Sequence, residues 1–192
     1  MSPRTEAQNE EIRKQTRQQI LDAAFELFAN DGFTKTSIAS VAKKAGVSKG
    51  LIYHYFDSKE AILEGIFDQL VHLAEEMLSF PEDYSSTDKI RQVIEQAFQF
   101  IEHQTGLGRL IIGLALQPDT IETLHPKIDQ VKENQMVLYI GLFNELGYKN
   151  PETEAYKFEA LMDGVLLGYA SLGEEYPLEE MKTKIMEEYV PS

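Results

Sequence analysis

The 192-residue chain contains no cysteine. That inventory excludes disulfides, thiolate nucleophiles and cysteine-ligated zinc. Long apolar runs are also missing. No stretch reaches the length of a membrane span, and Met1-Ser2-Pro3-Arg4-Thr5-Glu6 lacks the apolar region of a signal peptide. A soluble, cytoplasmic protein is expected, with no membrane partner. Apolar–polar alternation with a period near two is absent, so no sheet is expected, and there is no internal repeat or low-complexity segment. The histidines at 54, 72, 103 and 125 lack metal-ligand spacing. Gly106-Leu107-Gly108 and the Gly164–Gly168 stretch follow no strand, so phosphate-loop readings fail. No catalytic residue, metal or cofactor is expected, and the chain is not read as an enzyme.

A net positive charge is lacking too: the chain carries −14. Its distribution matters more than its sum. Residues 1–60 hold nine Lys or Arg against eight Asp or Glu, whereas residues 61–192 hold nine against twenty-four. The acidity therefore lies outside the N-terminal part. There Arg4, Arg13, Lys14, Arg17, Lys35, Lys43, Lys44, Lys49 and Lys59 can approach phosphates, and such cations supply most of the affinity for a nucleic acid. The acidic remainder repels a DNA backbone over a screening length of about 8 Å.

What the chain does have is a bihelical corner over residues 37–56. Ile38, Val41 and Ala42 recur at helical spacing, and Ala42 is small enough for a second helix to cross closely. Gly46 can take the left-handed conformation that a three-residue turn needs. Ser48 caps the next helix, Val47 and Ile52 cover the corner, and the outward face carries Ser48, Lys49, Gly50, Tyr53 and His54. This is a helix-turn-helix with a polar, cationic and aromatic reading face.

The run Gly46-Val47-Ser48-Lys49-Gly50-Leu51-Ile52-Tyr53-His54-Tyr55-Phe56, followed by Ser58-Lys59-Glu60, resembles the TetR family of bacterial transcription regulators. So does its approach, Ile20-Leu21-Asp22-Ala23-Ala24-Phe25-Glu26-Leu27-Phe28 leading to Gly32-Phe33 and Thr36-Ser37. The strong likeness covers residues 14–70, about a third of the chain. It implies a repressor that binds a near-palindromic operator in double-stranded DNA as a homodimer. Tyr53 and Lys59 would grip phosphates. Lys49 is suited to guanine acceptors, Gly50 allows close approach to the backbone, and Thr36 and Ser37 would donate hydroxyl and main-chain hydrogen bonds to phosphate. Family members often have Tyr-Tyr-His-Phe where this chain has Tyr53-His54-Tyr55-Phe56, so the role of His54 departs from the pattern.

The fold expected is all-α with about nine helices. A helix-turn-helix domain, residues 1–60, precedes a larger effector-binding and dimerisation domain, residues 61–192. The first helix is read over Asn9–Ala29 and closed by Gly32 in a left-handed cap, and Ser58 caps the fourth. A polar break at 81–87 precedes a fifth helix over Asp88–Thr105. An apolar sixth follows over Leu107–Leu116, ended by Pro118. Pro126 opens a seventh, Asn150-Pro151-Glu152 caps and opens an eighth, and Pro177 opens a ninth. Ala160, Gly164 and Gly168 form a small-residue stripe on the eighth helix. The resemblance implies a four-helix dimer interface there, joined by Met181 and Ile185 of the ninth. Core packing within one copy is the competing reading. An effector pocket would draw on Phe98, His103, Ile112, Leu116, Met136, Tyr139, Phe143, Met162 and Leu166, against ordinary core for any one of them. The effector is a small molecule that the sequence does not name. Two other functions compete: a non-transcriptional DNA-bound scaffold, and a small-molecule-binding protein with a vestigial DNA head.

Overall fold

A computed structural model of the chain describes residues 5–115 and 124–190. Among the described residues there are nine α-helices and no strand. They are α1 (Glu6–Asp31), α2 (Ile38–Ala45), α3 (Lys49–Tyr55), α4 (Lys59–Met77), α5 (Ser86–His103), α6 (Thr105–Ala115), α7 (His125–Glu145), α8 (Pro151–Leu172) and α9 (Leu178–Tyr189). The chain divides into two compact units, Met1–Leu70 and Val71–Ser192, and α4 is a continuous helix through the division.

In the first unit, α1 starts earlier than Asn9 because Thr5 and Gln8 form a reciprocal capping box. Such a pair satisfies two orphan amides of the first turn. Ile20, Leu21, Ala24 and Phe28 of α1 are buried, as are Val41, Ala42, Ile52, Phe56 and Ile62, while Phe25 is half-buried. Gly32 ends α1 with φ 85° and ψ 149°, a positive-φ extended geometry rather than the left-handed helical cap expected. At Gly65 the α4 backbone comes close to α1: a β-carbon there would lie 3.0 Å from Leu21 Cδ2 and 3.2 Å from the Arg17 guanidinium.

The second unit has its own core. Ile90, Ile94 and Phe98 of α5, Tyr139 and Phe143 of α7, Phe158 and Val165 of α8, and Ile185 and Tyr189 of α9 are all buried in it. Four rings carry the centre. Phe158 stands 4.9 Å from Tyr189, 5.1 Å from Tyr139 and 5.7 Å from Phe143, mostly edge to face. Each such pair contributes about 0.5–1.5 kcal/mol beyond its area burial. Ser85 and Asp88 form the capping box that opens α5, two residues ahead of the expected start. Pro126 sits in the first turn of α7 as expected. Pro151 likewise opens α8, but the Asn150 side chain makes no capping bond. Leu116 and Pro118 lie outside the described residues.

Candidate nucleic-acid interface

The corner between α2 and α3 follows from local chemistry. Ser37 Oγ accepts from the Ser40 amide at 3.1 Å, and the Ser40 hydroxyl accepts from the Ser37 amide at 3.0 Å, which fixes the start of α2. Among the described residues nothing accepts from the Ile38 and Ala39 amides, which are orphan donors of the first turn at the positive end of the helix. Gly46 closes α2 at φ 66° and ψ 26°, the left-handed region that only glycine enters at little cost. Its amide reaches back to the carbonyls of Ala42 and Lys43. Two residues later Ser48 Oγ accepts from the Leu51 amide at 3.1 Å and starts α3.

This short helix is held by one side and free on the other. Ile52 is fully buried and Phe56 nearly so, while Ser48, Lys49, Gly50, Tyr53 and His54 are exposed together. Tyr53 is 48% exposed, with the Lys49 ammonium 5.8 Å from its ring centre. His54 meets Tyr55 edge to face at 5.3 Å, and Tyr55 is half-buried. Leu51, absent from the expected set, is 36% exposed and adds an apolar group suited to a thymine methyl. In the sequence only its position on the outer half of α3 signals this.

Of the three remaining expected contacts, Ser37 is exposed at the start of α2, whereas Thr36 and Lys59 are used differently. Thr36 is 5% exposed, and its Oγ1 points inward, 2.9 Å from the Gly32 carbonyl and 3.3 Å from that of Leu27. Its hydroxyl therefore braces the α1–α2 loop instead of pointing toward a phosphate. Lys59 is half-buried. Its Nζ donates to the carbonyls of Phe33 at 2.8 Å, Thr36 at 3.0 Å and Thr34 at 3.5 Å. Further cations are occupied as well: Lys14 pairs with Glu10 at 3.4 Å, Lys44 pairs with Glu26, and Arg17 lies 5.1 Å over the Phe56 ring. Among the described residues of this unit, Arg13, Lys35, Lys43 and Lys49 have no ion-pair partner.

The model of the family described as bacterial regulatory proteins, tetR family, matches residues 20–66, from the buried half of α1 into α4. The transcriptional regulator BetI of Serratia proteamaculans is 30% identical over 166 residues, 82% of this chain and 82% of that protein. This chain belongs to the tetR family. The fatty acid metabolism regulator protein of Bacillus subtilis is 30% identical over 131 residues, and the match spans just under two thirds of each chain, 66%. The crystal structure of the Bacillus subtilis transcriptional regulator FadR in complex with stearoyl-CoA superposes with a TM-score of 0.71. It is 25% identical and covers 90% of this chain and 97% of that one. The chain is thus a tetR-family transcriptional regulator with a helix-turn-helix head. Among its described residues no helix is long and apolar enough to cross a membrane.

In the second unit of this tetR-family chain, the residues expected at an effector site do not form one set. Phe98, Tyr139 and Phe143 are core, and burial pushes the Tyr139 phenol up to about 12 while its oxygen accepts from Gln135 at 2.7 Å. His103 is exposed beside Glu102. Ile112, Met136, Met162 and Leu166 are half-buried on α6, α7 and α8, with Leu166 against Gly108. Leu116 lies outside the described residues.

The expected dimer residues divide similarly. Ala160 and Gly164 are exposed, with open space at Gly164. Gly168 is instead covered by its own chain, because a β-carbon there would run into the Tyr176 ring. Ile185 is 1% exposed in the core, and half-buried Met181 packs against that core. Tyr156 and Leu167, outside the expected set, are 59% and 51% exposed and extend the Ala160–Gly164 stripe at helical spacing.

Proposed function

We propose that this regulator is a ligand-responsive repressor that binds a near-palindromic operator as a homodimer. One observation carries the reading: Ser48, Lys49, Gly50, Tyr53 and His54 are exposed together on a helix whose opposite side is anchored by fully buried Ile52. That arrangement suits a major groove, with Lys49 toward guanine acceptors and Tyr53 toward a phosphate. One head of two short helices contacts few base pairs, which favours two copies on symmetric half-sites. The outward stripe of α8, Tyr156, Ala160, Gly164 and Leu167, is the surface we assign to the second copy. Its small residues permit close backbone approach, and its two large ones would be desolvated.

The effector we assign to Ile112, Met136, Met162 and Leu166 is a molecule with a long apolar portion, such as a fatty acyl thioester. The apolar character of those four side chains and the relatives named for fatty acids support that class. Ligand acts through α4, and only to the extent that it favours the state that does not bind DNA, typically by about 1–3 kcal/mol. The test is selection of duplexes from a random pool, followed by titration with stearoyl-CoA or choline. A selected palindrome released by stearoyl-CoA and not by choline is expected. Failure to enrich any sequence would defeat the regulator reading. For the dimer, Leu167→Glu should convert a two-copy species to one copy in sedimentation, and an unchanged mass would remove α8 from the interface.

A further inference from the structure

Lys59 opens α4, and its three ammonium protons point into the loop between α1 and α2. The carbonyls of Phe33, Thr34 and Thr36 converge on Nζ at 2.8, 3.5 and 3.0 Å. An ammonium has three donors and no more. The charge also lies 4.2 Å from the centre of the Phe33 ring, which stacks edge to face on Phe28 of α1 at 5.0 Å. A cation over an aromatic face gains further from the ring quadrupole. The same loop is gripped from the other side, where the Thr36 hydroxyl reaches the Gly32 and Leu27 carbonyls. The Thr36 carbonyl immediately precedes Ser37, the residue that caps α2. From there the chain runs through α2 and Gly46 into α3, so the start of α2 is where α4 can set the corner's position.

We propose that Lys59 is a positioning residue: it fastens the first turn of α4 to the start of α2, so that the reading helix follows α4. The proposal rests on the DNA-binding reading above but assigns Lys59 a task other than phosphate contact. A phosphate could recruit the ammonium only by displacing it from carbonyls that it already satisfies. The geometry accounts for a lysine at this place, since three convergent carbonyl oxygens require a compact, rotatable donor. The planar fork of an arginine does not match them.

Two variants separate the readings, measured on the full chain with a duplex that the wild type selects from a random pool. Lys59→Met keeps the alkyl stem and removes the donors. Lys59→Arg keeps the charge and alters its geometry. Both variants are expected to bind at least tenfold more weakly than wild type. For Lys59→Met the slope of log affinity against log salt should be unchanged, because no phosphate contact is lost. Amide exchange at Ser40 and Val41, whose amides donate to the Ser37 hydroxyl and carbonyl, should accelerate in both in the free protein. A lysine that grips phosphate gives a different pattern. Lys59→Met would then lower the slope by about 0.9 for each subunit, and Lys59→Arg would bind like wild type. Either of those results overturns the proposal, as does unchanged amide exchange. Exchange needs no DNA, so it tests the fastening even for a protein that selects no duplex, an outcome that would sink the regulator reading separately.

Discussion

Gly50→Ala should make the free protein more stable and a worse DNA binder. Gly50 is the second residue of α3, exposed, with ordinary helical backbone, and an added methyl would meet nothing nearer than the Ser48 hydroxyl at 4.0 Å. The folded state therefore accepts alanine without strain. Removing glycine's freedom from the unfolded chain then adds about 0.4–1 kcal/mol. For a chain of this length about 1 kcal/mol moves Tm by about 2–4 °C, so a rise of about 1–4 °C is expected. On DNA the same methyl intrudes where the helix lies against the backbone. An extra methylene in a packed site costs about 1–3 kcal/mol, so two heads lose about 2–6 kcal/mol, or about 30-fold at the low end. Calorimetry and fluorescence anisotropy on one preparation measure both effects. A stabilised variant with wild-type affinity would refute the close approach; a fall in Tm would refute the open space.

Lys49→Ala should weaken operator binding by about 1–3 kcal/mol per head and relax base preference at one position of each half-site, read by repeating the selection with the variant. An identical selected motif would exclude a base contact. Gly65→Ala should lower the urea midpoint: overpacking against Leu21, Arg17 and Phe56 at 3.0–3.3 Å costs about 1–3 kcal/mol and outweighs a helix-propensity gain of about 1 kcal/mol. A raised midpoint would mean that α4 has room at this crossing. Tyr139 sets an alkaline limit. Its phenol is pushed up to about 12 by burial, against an ordinary value near 10. Below pH 10 both states are protonated and the contribution is complete. Between pH 10 and 12 the unfolded chain ionises first and stability falls, by an amount on the order of 2–3 kcal/mol. Tyr139→Phe should flatten that part of the pH–stability curve, and an unaltered slope would exclude Tyr139 as its source.

The features legible in the sequence are those set by neighbours. Ser48 caps α3 because its acceptor and the Leu51 amide are three residues apart, and Gly46 turns the corner because no other residue enters that backbone region cheaply. The inner stripe of α1 follows from period alone. The features that escape are set by partners distant in the chain. Lys59 looks like a phosphate contact until its carbonyls, 23 to 26 residues earlier, are located. Gly168 completes a small-residue stripe by spacing, but Tyr176 returns to cover it. Ile185 is correctly apolar, yet periodicity cannot tell which body an apolar face meets, and here it is the core of its own unit. Composition alone likewise suggests nine cations free for DNA, whereas pairing with Glu10 and Glu26 occupies two of them.

The most direct test of the account is a hydroxyl-radical footprint of the wild-type protein on a duplex that it has selected. Two symmetric protected patches centred one helical turn apart, or a whole multiple of it, are the expected outcome, with both lost together in Lys49→Ala. Protection that is continuous, indifferent to sequence, or equally strong in the variant would contradict a paired reading head built on α3.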